Sequence, residues 1–394
     1  MIREKICKLL TVMSDGRPVD ALSRKNNLIT LFLCGDVMTG RGIDQIFSHP
    51  SNAILYEPYV KDARGYVEIA EKKNGPIQKP VNYEYIWGDA LEELERVAPD
   101  LRIINMETSI TKSGDYWKTK QIHYRMNPEN IPCLTAAKIN YCSIANNHIL
   151  DWGYSGLKET LETLKRVNIG YAGAGENLRE AETPAVMEVE EKGRVIVFSF
   201  GSVSSGVLSS WAASKKKPGV NILRDLSDKA VQYVKEKVQE VKQKGDILVV
   251  SIHWGGNWGY QIPHDQTEFA HRLIDTAGVD LIHGHSSHHV KAVEVYQGKL
   301  ILYGCGDFLN DYEGIGGYEY YRDDLALMYF ASVDSSTGKL VHLQMTPTQT
   351  RRFRVNRASG ADVEWLEDLL NREGEKLGNR VVRNEDNTLI LTWD

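Results

Sequence analysis

The chain lacks four features, and each absence argues against a class of protein. Its 394 residues have no basic excess, and the formal net charge of −6 argues against a general nucleic-acid binder. No segment reaches the roughly 20 apolar residues of a membrane span. The first 27 residues contain no apolar run typical of a signal peptide. The five cysteines are dispersed without a CxxC pair, which favours buried free thiols over disulfides. These absences predict a cytoplasmic protein with no membrane anchor in this chain.

The chain does have alternating strand-like runs and amphipathic helices. Continuous apolar runs predict buried strands over 28–34, 101–105, 139–145, 247–252 and 279–282. Helical spacing appears over 85–97, 157–164, 231–241 and 362–375. A further helix is expected from Asp265, where Asp265 and Glu268 have the spacing of a capping box. Hairpins are predicted over 184–200, 293–303 and 325–345, and a last strand over 388–392. Residues 48–82 are expected to form a partly irregular insertion.

This order of elements predicts an α/β protein. We expect a largely parallel core sheet faced by a more antiparallel one, with helices on both outer faces. The expected organisation is an N-terminal helical extension over 1–27, one large domain over 28–350, and a C-terminal helix–strand extension over 351–394 packed on that domain.

Polar clusters follow the predicted strands at the points where the strands end. They are Gly35-Asp36, Asn105-Met106-Glu107, Asn146-Asn147-His148, His253-Trp254-Gly255 and Gly284-His285-Ser286-Ser287-His288. Sites in such folds form beyond the carboxyl ends of strands, so these clusters are expected to converge. Carboxylates, a carboxamide and several imidazoles together describe a mono- or dinuclear metal site.

Each cluster also has a structural interpretation. Asp36 could cap a helix, Glu107 could be a surface residue, and a lone strand-end histidine such as His253 is more often structural than ligating. The pair Asn147 and His148 is more specific, because an asparagine that caps a turn does not require a neighbouring imidazole. Asp151, three residues later, could orient His148 and raise its pKa. The ordered set as a whole favours the metal site.

These motifs resemble the CapA-type proteins of poly-γ-glutamate biosynthesis. The resemblance spans about residues 28–310 and continues through Ile301–Phe308. That family is related to the calcineurin-like metallophosphoesterases, so the resemblance implies a four-layer α/β/β/α sandwich with mixed sheets. Carried over residue by residue, it implies a catalytic His148 and metal ligands at Asp36, Glu107, Asn147, His253, His285 and His288.

The sequence departs from the related phosphoesterases at three positions. Met38 stands where those enzymes carry a histidine, and Ser286 stands where a second histidine usually follows the glycine. Asp307 replaces the usual asparagine before the late phenylalanine. The first metal position is therefore expected to lose a ligand. For the second imidazole, either His288 substitutes or the site is looser.

The leading functional hypothesis is a metal-dependent hydrolase that uses a metal-activated water, with His148 as general acid. The site would hold one or two divalent ions (Mn, Zn or Fe), and two ions would share Glu107 as a bridging ligand. The substrate would be a γ-glutamyl amide or a phosphoester. One alternative is a non-catalytic component of a poly-γ-glutamate or capsule synthesis assembly; another is a metal-dependent amide-bond-forming enzyme. The expected partner is a small-molecule or peptide-like substrate, not nucleic acid, and a homo-oligomer is compatible with the sequence.

Substrate contacts are expected from residues around the clusters. They are Arg41, Trp254, Asp307, Asp311, Glu313 and Arg322. Residues 306–324 are rich in glycine and acids, and we interpret them as a loop that closes over the centre with an acidic rim. Such a rim would disfavour a polyanion and favour a substrate with a cationic or hydroxyl-rich part. The structural alternatives are a solvated acidic loop, a helix-capping arginine and a packed aromatic loop.

Overall fold

The computed structural model describes residues 27–393, and two large mixed β-sheets dominate it. The N-terminal extension expected over 1–27 lies outside the described residues, apart from Asn27. The strands are, in chain order, β1 (Leu28–Val37), β2 (Leu101–Met106), β3 (Ser109–Ile110), β4 (Arg125–Met126), β5 (Tyr141–Ser143), β6 (Gly170–Ala172), β7 (Ala174–Gly175), β8 (Ala185–Val189), β9 (Gly193–Ser202), β10 (Gly219–Val220), β11 (Ile222–Leu223), β12 (Ile247–His253), β13 (Leu281–His285), β14 (Val293–Tyr296), β15 (Lys299–Leu302), β16 (Asp307–Leu309), β17 (Leu325–Asp334), β18 (Leu340–Thr350), β19 (Val355–Arg357), β20 (Asn379–Arg383) and β21 (Leu389–Trp393).

The helices lie between these strands and confirm the predicted alternation. They are α1 (Arg41–Asp44), α2 (Arg64–Asn74), α3 (Asp89–Val97), α4 (Pro132–Ala136), α5 (Gly153–Arg166), α6 (Leu178–Glu182), α7 (Asp228–Gln239), α8 (His264–Ala277) and α9 (Gly360–Gly374). The segment expected to be partly irregular contains the three-turn helix α2. The predicted capping box of α8 is wrong: the helix begins at His264 after Pro263, so Asp265 lies inside the first turn and cannot be the N-cap.

The first sheet has ten strands in the order β20-β21-β18-β17-β1-β2-β5-β6, with β16 beside β1 and β19 beside β18. Strands β1, β2, β5 and β6 are parallel, whereas β17 is antiparallel to β1. The C-terminal hairpins therefore extend the parallel sheet. The expected division into a largely parallel sheet and a more antiparallel one is not found, because β17 pairs with the edge of β1, whose backbone groups would otherwise be unpaired.

The second sheet has seven strands in the order β11-β9-β12-β13-β15-β14, with β8 antiparallel to β9. Strands β9, β12, β13 and β15 are parallel. Each sheet thus has a parallel part whose carboxyl ends can carry functional side chains. The protein is a mixed α/β fold with several mixed sheets.

Alternation along the apolar strands explains how both sheet faces are buried. In β1, Phe32 and Cys34 face a cluster with α2–α5, whereas Leu31 and Leu33 face a cluster that includes residues of the second sheet. Strand β9 also has both faces buried: Val197 packs in the cluster between the sheets, and Phe198 packs toward α7 and α8. Continuous apolar runs are what such doubly covered strands require.

The C-terminal segment contributes to the cluster between the sheets. The helix α9 begins with a capping box formed by Ser359 and Asp362, and its residues Val363, Leu366 and Leu370 are buried in that cluster. Four cysteines within the described residues (Cys34, Cys133, Cys142 and Cys305) are buried free thiols, as predicted. No helix in residues 27–393 is both long and apolar enough to cross a membrane.

A glycine fixes the approach of β1 to β16. A Cβ at Gly35 would lie 1.7 Å from the carbonyl oxygen of Gly306, and the next residue, Asp36, donates its N–H to that oxygen at 2.9 Å. We expect Gly35→Ala to lower the free energy of unfolding by at least about 1–3 kcal/mol, the usual cost of overpacking. Urea unfolding measures this, with Gly114→Ala as control because its Cβ would meet nothing within 4 Å. Equal stability of the two variants would contradict the prediction.

Candidate metal centre

The register of the strands brings the predicted clusters to one place. Asp36 is opposite Asn105 on β2, and also opposite Asp307 on β16. His253 is opposite His285 on the second sheet. The two sheets are joined here by His283, whose Nε2 lies 2.7 Å from the carbonyl oxygen of Cys34. His283 is fully buried on β13 and therefore supports the junction of the two sheets.

The two strand-end imidazoles face each other. The Nδ1 atoms of His253 and His285 are 2.8 Å apart, and the Nε2 atom of His253 lies 3.0 Å from the Oδ1 atom of Asn147. Ser251 Oγ lies 2.9 Å from the Nε2 atom of His285. Burial lowers the pKa of both imidazoles well below its ordinary value. Both rings are therefore neutral at pH 7 and present lone pairs, the form in which histidine binds metals.

Next to the imidazoles lie buried carboxylates. The side-chain amide of Asn105 donates to Asp36 at 2.7 Å and to Glu107 at 3.3 Å. Burial and the nearby Asp307 carboxylate raise the pKa of Asp36 to about 7. Burial and the charge of Asp36 raise the pKa of Glu107 well above its ordinary value. Buried like charges of this kind are costly unless a cation neutralises them.

The donor set fits a metal ion. Ligand atoms of Asp36, His253 and His285 all lie within 4.8 Å of one another. Two ligands of a single ion, with bonds of about 2.0–2.2 Å, are at most about 4.4 Å apart, so small side-chain shifts would complete such a site. Imidazole nitrogens and carboxylate oxygens without thiolate suit Mn, Fe or Zn. The assignment of each ligand stays a prediction.

Asp307 and His288 extend the carboxylate side. The Nδ1 atom of His288 lies 2.9 Å and 3.0 Å from the two oxygens of Asp307, and Asn310 donates to the same carboxylate at 3.0 Å. Burial alone would lower the pKa of His288, but the Asp307 charge outweighs it and raises that pKa. The sequence suggested Asp307 as a substrate contact. The structure places it beside Asp36, among the candidate ligands.

The backbone around Ser286 is unusual. This residue has a φ of 100°, a conformation that side chains other than glycine rarely adopt. Its N–H donates to the Oδ2 atom of Asp36 at 3.2 Å. The strained turn after β13 therefore points a backbone donor at the carboxylate.

His148 is held by a carboxylate and a lysine. Its Nδ1 atom lies 2.6 Å from Asp151 Oδ2, and its Nε2 atom lies 3.7 Å from the Oε1 atom of Glu107. Lys120 contacts the other oxygen of Asp151 and lies 3.3 Å from His148 Nδ1. Burial lowers the pKa of His148 to about 4 against the opposing effect of Asp151. Lys120 lies in the loop between β3 and β4, where no motif marked it, so sequence reasoning missed it.

The expected contact of Arg41 with substrate is not what the structure shows. Its guanidinium is buried and pairs with both oxygens of Asp311, with Glu57 at 3.0 Å, and with the Tyr66 hydroxyl at 3.1 Å. It also lies 4.4 Å above the ring of Tyr124. Because its nitrogens already have partners, Arg41 supports the site from beneath.

Three other expected contacts are also occupied by structural partners. Trp254 is 2% exposed and donates its indole N–H to the carbonyl oxygen of Tyr303 at 3.0 Å, so it packs in the core. Arg322 pairs with Asp324 and Asp362. Glu313 accepts from the backbone N–H groups of residues 352 and 353. With Asp311 fully buried as well, the expected exposed acidic rim is wrong for Asp311 and Glu313: these acids anchor the loop.

Comparison with known proteins identifies the family. Residues 30–312 match the bacterial capsule synthesis protein family PGA_cap. The chain is 48% identical over 364 residues to a "Probable polyglutamine synthesis accessory protein" of Mycobacterium tuberculosis, which covers 92% of this chain and 96% of the relative. It is 30% identical over 294 residues to the PGA biosynthesis protein CapA of Bacillus subtilis, and the match covers 74% of this chain and 71% of the relative. It is 26% identical over 298 residues to the capsule biosynthesis protein CapA of Bacillus anthracis, and the match covers 73% of this chain and 61% of the relative. The chain belongs to this family of capsule synthesis proteins, which confirms the CapA-type resemblance.

The raised pKa of Asp36 generates a prediction about stability. Without metal, the folded state keeps a proton on Asp36 up to about pH 7, whereas the unfolded chain loses it near pH 3.8. The contribution of Asp36 to stability therefore falls as pH rises from about 4 to about 7. Asp36→Asn does not titrate, so the variant should gain stability relative to wild type across that range.

Urea unfolding in EDTA at several pH values measures this difference. The imidazoles with lowered pKa, such as His148, are present in both proteins, so their direct contribution cancels in the comparison. Added Mn²⁺ should reverse the order at neutral pH, because only wild type keeps the Asp36 carboxylate as a ligand. A difference that is constant with pH and unmoved by Mn²⁺ would contradict the prediction.

Proposed function

We propose that this capsule synthesis family member is a metal-dependent hydrolase that cleaves a γ-glutamyl amide bond. The observation that carries the proposal is the juxtaposition of the buried carboxylate–imidazole cluster with His148, whose Nε2 atom faces Glu107 at 3.7 Å. A purely structural metal site needs no such imidazole. The partly exposed Asn147 and His288 mark the side from which a substrate can approach.

The residues that would hold the ions are Asp36, Glu107, Asn147, His253, His285 and His288, with Asp307 beside them. A divalent cation bound there would polarise the scissile carbonyl and lower the pKa of a nearby water molecule. The nitrogen donors lie mainly on the second sheet and the carboxylates on the first. Glu107 lies between the groups, since its Oε1 atom is 3.9 Å from His253 Nε2 and its Oε2 atom contacts Asn105.

In this proposal His148 donates the proton that the leaving nitrogen needs. Asp151 holds Nδ1, so Nε2 remains directed toward the centre. Because burial leaves the ring neutral, Nε2 would first accept the proton released by the attacking water and would then pass it to the leaving nitrogen as the C–N bond breaks. Asp151 is itself fixed by the backbone N–H of Tyr124 at 2.7 Å and by Lys120.

Two observations favour an amide over a phosphoester. The cations described near the centre, Arg41 and Lys120, are both already paired with carboxylates. A phosphoester would bring further negative charge to a site that already buries Asp36, Glu107 and Asp307. The relatives' names also refer to polyglutamine and PGA synthesis, and an amide bond links the residues of such a chain.

The second candidate is an accessory component of a synthesis assembly without its own catalysis. The name of the Mycobacterium tuberculosis relative, an accessory protein, favours it. As to the fold, we infer that the two sheets and the helices on their outer clusters form the four-layer α/β/β/α arrangement of the calcineurin-like phosphoesterases.

Metal analysis followed by a substrate screen tests the proposal. The full chain would be loaded with Mn²⁺, Zn²⁺ or Fe²⁺ and assayed with γ-glutamyl peptides and aryl phosphoesters. We expect metal-dependent release of amine from the peptides. His148→Ala should keep its metal and lose about 10²–10⁴-fold in kcat, the usual range for a lost general acid. Asn147→Ala should instead lower metal affinity. Bound metal without cleavage of any peptide would favour the accessory role, and cleavage of the phosphoester alone would reject the amide.

Lys120 gives a separate prediction. Lys120→Met removes the cation that holds Asp151 and contacts the carbonyl oxygen of Asn147. We expect about a 10–100-fold loss of kcat with unchanged metal content, as is typical for a residue that orients catalytic side chains. Lys120→Arg should recover part of the rate and show a shifted pH profile. The control is Lys118→Met, an exposed lysine in the same loop. Equal rates for Lys120→Met and Lys118→Met would show that Lys120 takes no part.

A further inference from the structure

A cavity of about 410 Å³ lies beside the candidate metal centre, between the end of α2, residues 310–324 and the end of β18. Its volume is within the range of small-molecule sites, about 300–1,000 Å³. Asn310 and Tyr312 line it on the side of the centre. Asn310 donates to Asp307, and the ring of Tyr312 lies 5.6 Å from that of His288. One layer of side chains therefore separates the cavity from the candidate ligands.

Most charges that line the cavity are neutralised by their neighbours. Arg322 pairs with Asp324 at 2.8 Å and with Asp362 at 2.7 Å. Glu313 accepts from the backbone N–H groups of residues 352 and 353 at 2.6 Å and 2.7 Å. The Asp324 carboxylate also accepts from Gln349 at 2.6 Å. These groups shape the walls and have little charge left to offer a ligand.

Three charged side chains of the cavity keep no such partner among residues 27–393. Asp323 is partly buried, and no other described residue donates a hydrogen bond to its carboxylate. Lys73 and Arg351 are exposed at the rim and pair with no described carboxylate. Burial and the nearby Asp307 raise the pKa of Asp323 to about 6, so it is ionised at pH 7 and lies toward the metal centre. The cavity thus offers one inner carboxylate and two outer cations. The exposed carboxylate of Glu319, which accepts from the backbone N–H of Gly317 at 3.0 Å, also lines the rim near Lys73.

We propose that this cavity binds the amino-acid end group of a peptide-like chain, with its ammonium group on Asp323 and its carboxylate on Lys73 and Arg351. The proposal rests on the proposed function, because it assigns this cavity the end of the chain whose amide bond is cut. A partly buried carboxylate without a partner attracts a cation and repels a bare polyanion. The opposite charge at the rim then selects a zwitterionic group.

Calorimetric titration of the full chain tests the proposal, both as purified and after EDTA treatment to stop turnover. The probe is γ-glutamylglycine, whose first residue carries both charged groups. Its N-acetylated form and its α-carboxamide form each lack one of them. We expect each change to raise Kd about tenfold, which corresponds to about 1.4 kcal/mol.

Three variants assign the effect to residues. Asp323→Asn should bind the free and acetylated peptides equally, and the double variant Lys73→Ala with Arg351→Ala should no longer distinguish the carboxamide. The control Asp324→Asn alters a carboxylate that is already paired with Arg322 and should keep both preferences. The proposal is overturned if wild type binds the free and N-acetylated peptides equally, if Asp323→Asn still prefers the free peptide, or if the peptide does not bind.

Failure of this proposal is distinguishable from failure of the proposed function. Binding that depends on both charged groups, in a chain that cleaves no peptide, would support the cavity and reject the hydrolase. Cleavage of γ-glutamyl peptides without any preference for the charged end group would support the hydrolase and reject the cavity.

Discussion

Three carboxylates, those of Asp36, Glu107 and Asp307, are withdrawn from water where the parallel ends of the two sheets meet. Each would prefer to be solvated, and each raises the cost of charging the others. Three hydrogen-bond donors surround these carboxylates: the amide of Asn105, the backbone N–H of Ser286, and the imidazole of His288. These donors offset only part of the charge, and this remaining charge is the physical basis for the proposed cation site.

A second layer holds this arrangement in place. Arg41 is buried between Asp311 and Glu57 and stacks near Tyr124. The Tyr124 ring meets His148 edge-on at 4.6 Å, and its hydroxyl bonds that of Tyr312 at 2.9 Å. A buried ion pair of this kind contributes little net stability but fixes the geometry of what it touches. Arg41 therefore ties the loop of residues 306–324 to the centre through Asp311, and this pairing explains why the Asp311 carboxylate faces inward.

The sequence was informative wherever one physical rule decided the outcome. Continuous apolar runs predicted the doubly covered strands. The polar residues at their carboxyl ends, such as Asp36 and His253, converge because the parallel strands of the two sheets end on the same side. Partner choice among charged residues was not predictable. Lys120 and Arg41 find their carboxylates through loops far apart in the sequence, and Arg322 finds Asp362 across 40 residues. No short-range pattern records such pairings. The prediction of a capping box in α8 failed because the N-cap is Pro263, two residues before Asp265.

Two of the positions that depart from the expected motif pattern, Met38 and Asp307, lie beside Asp36. Met38 is fully buried and supplies no imidazole, but Asp307 lies next to Asp36 in the strand register and brings a carboxylate to the same side. The first sheet therefore presents mainly oxygen donors, whereas the second presents the nitrogen donors of His253 and His285. Carboxylates suit Mg, Mn and Ca, and imidazoles suit Zn, Fe and Ni. In the proposed metal site, the first sheet would therefore favour an ion that prefers oxygen ligands, whereas the second sheet would favour one that prefers imidazoles.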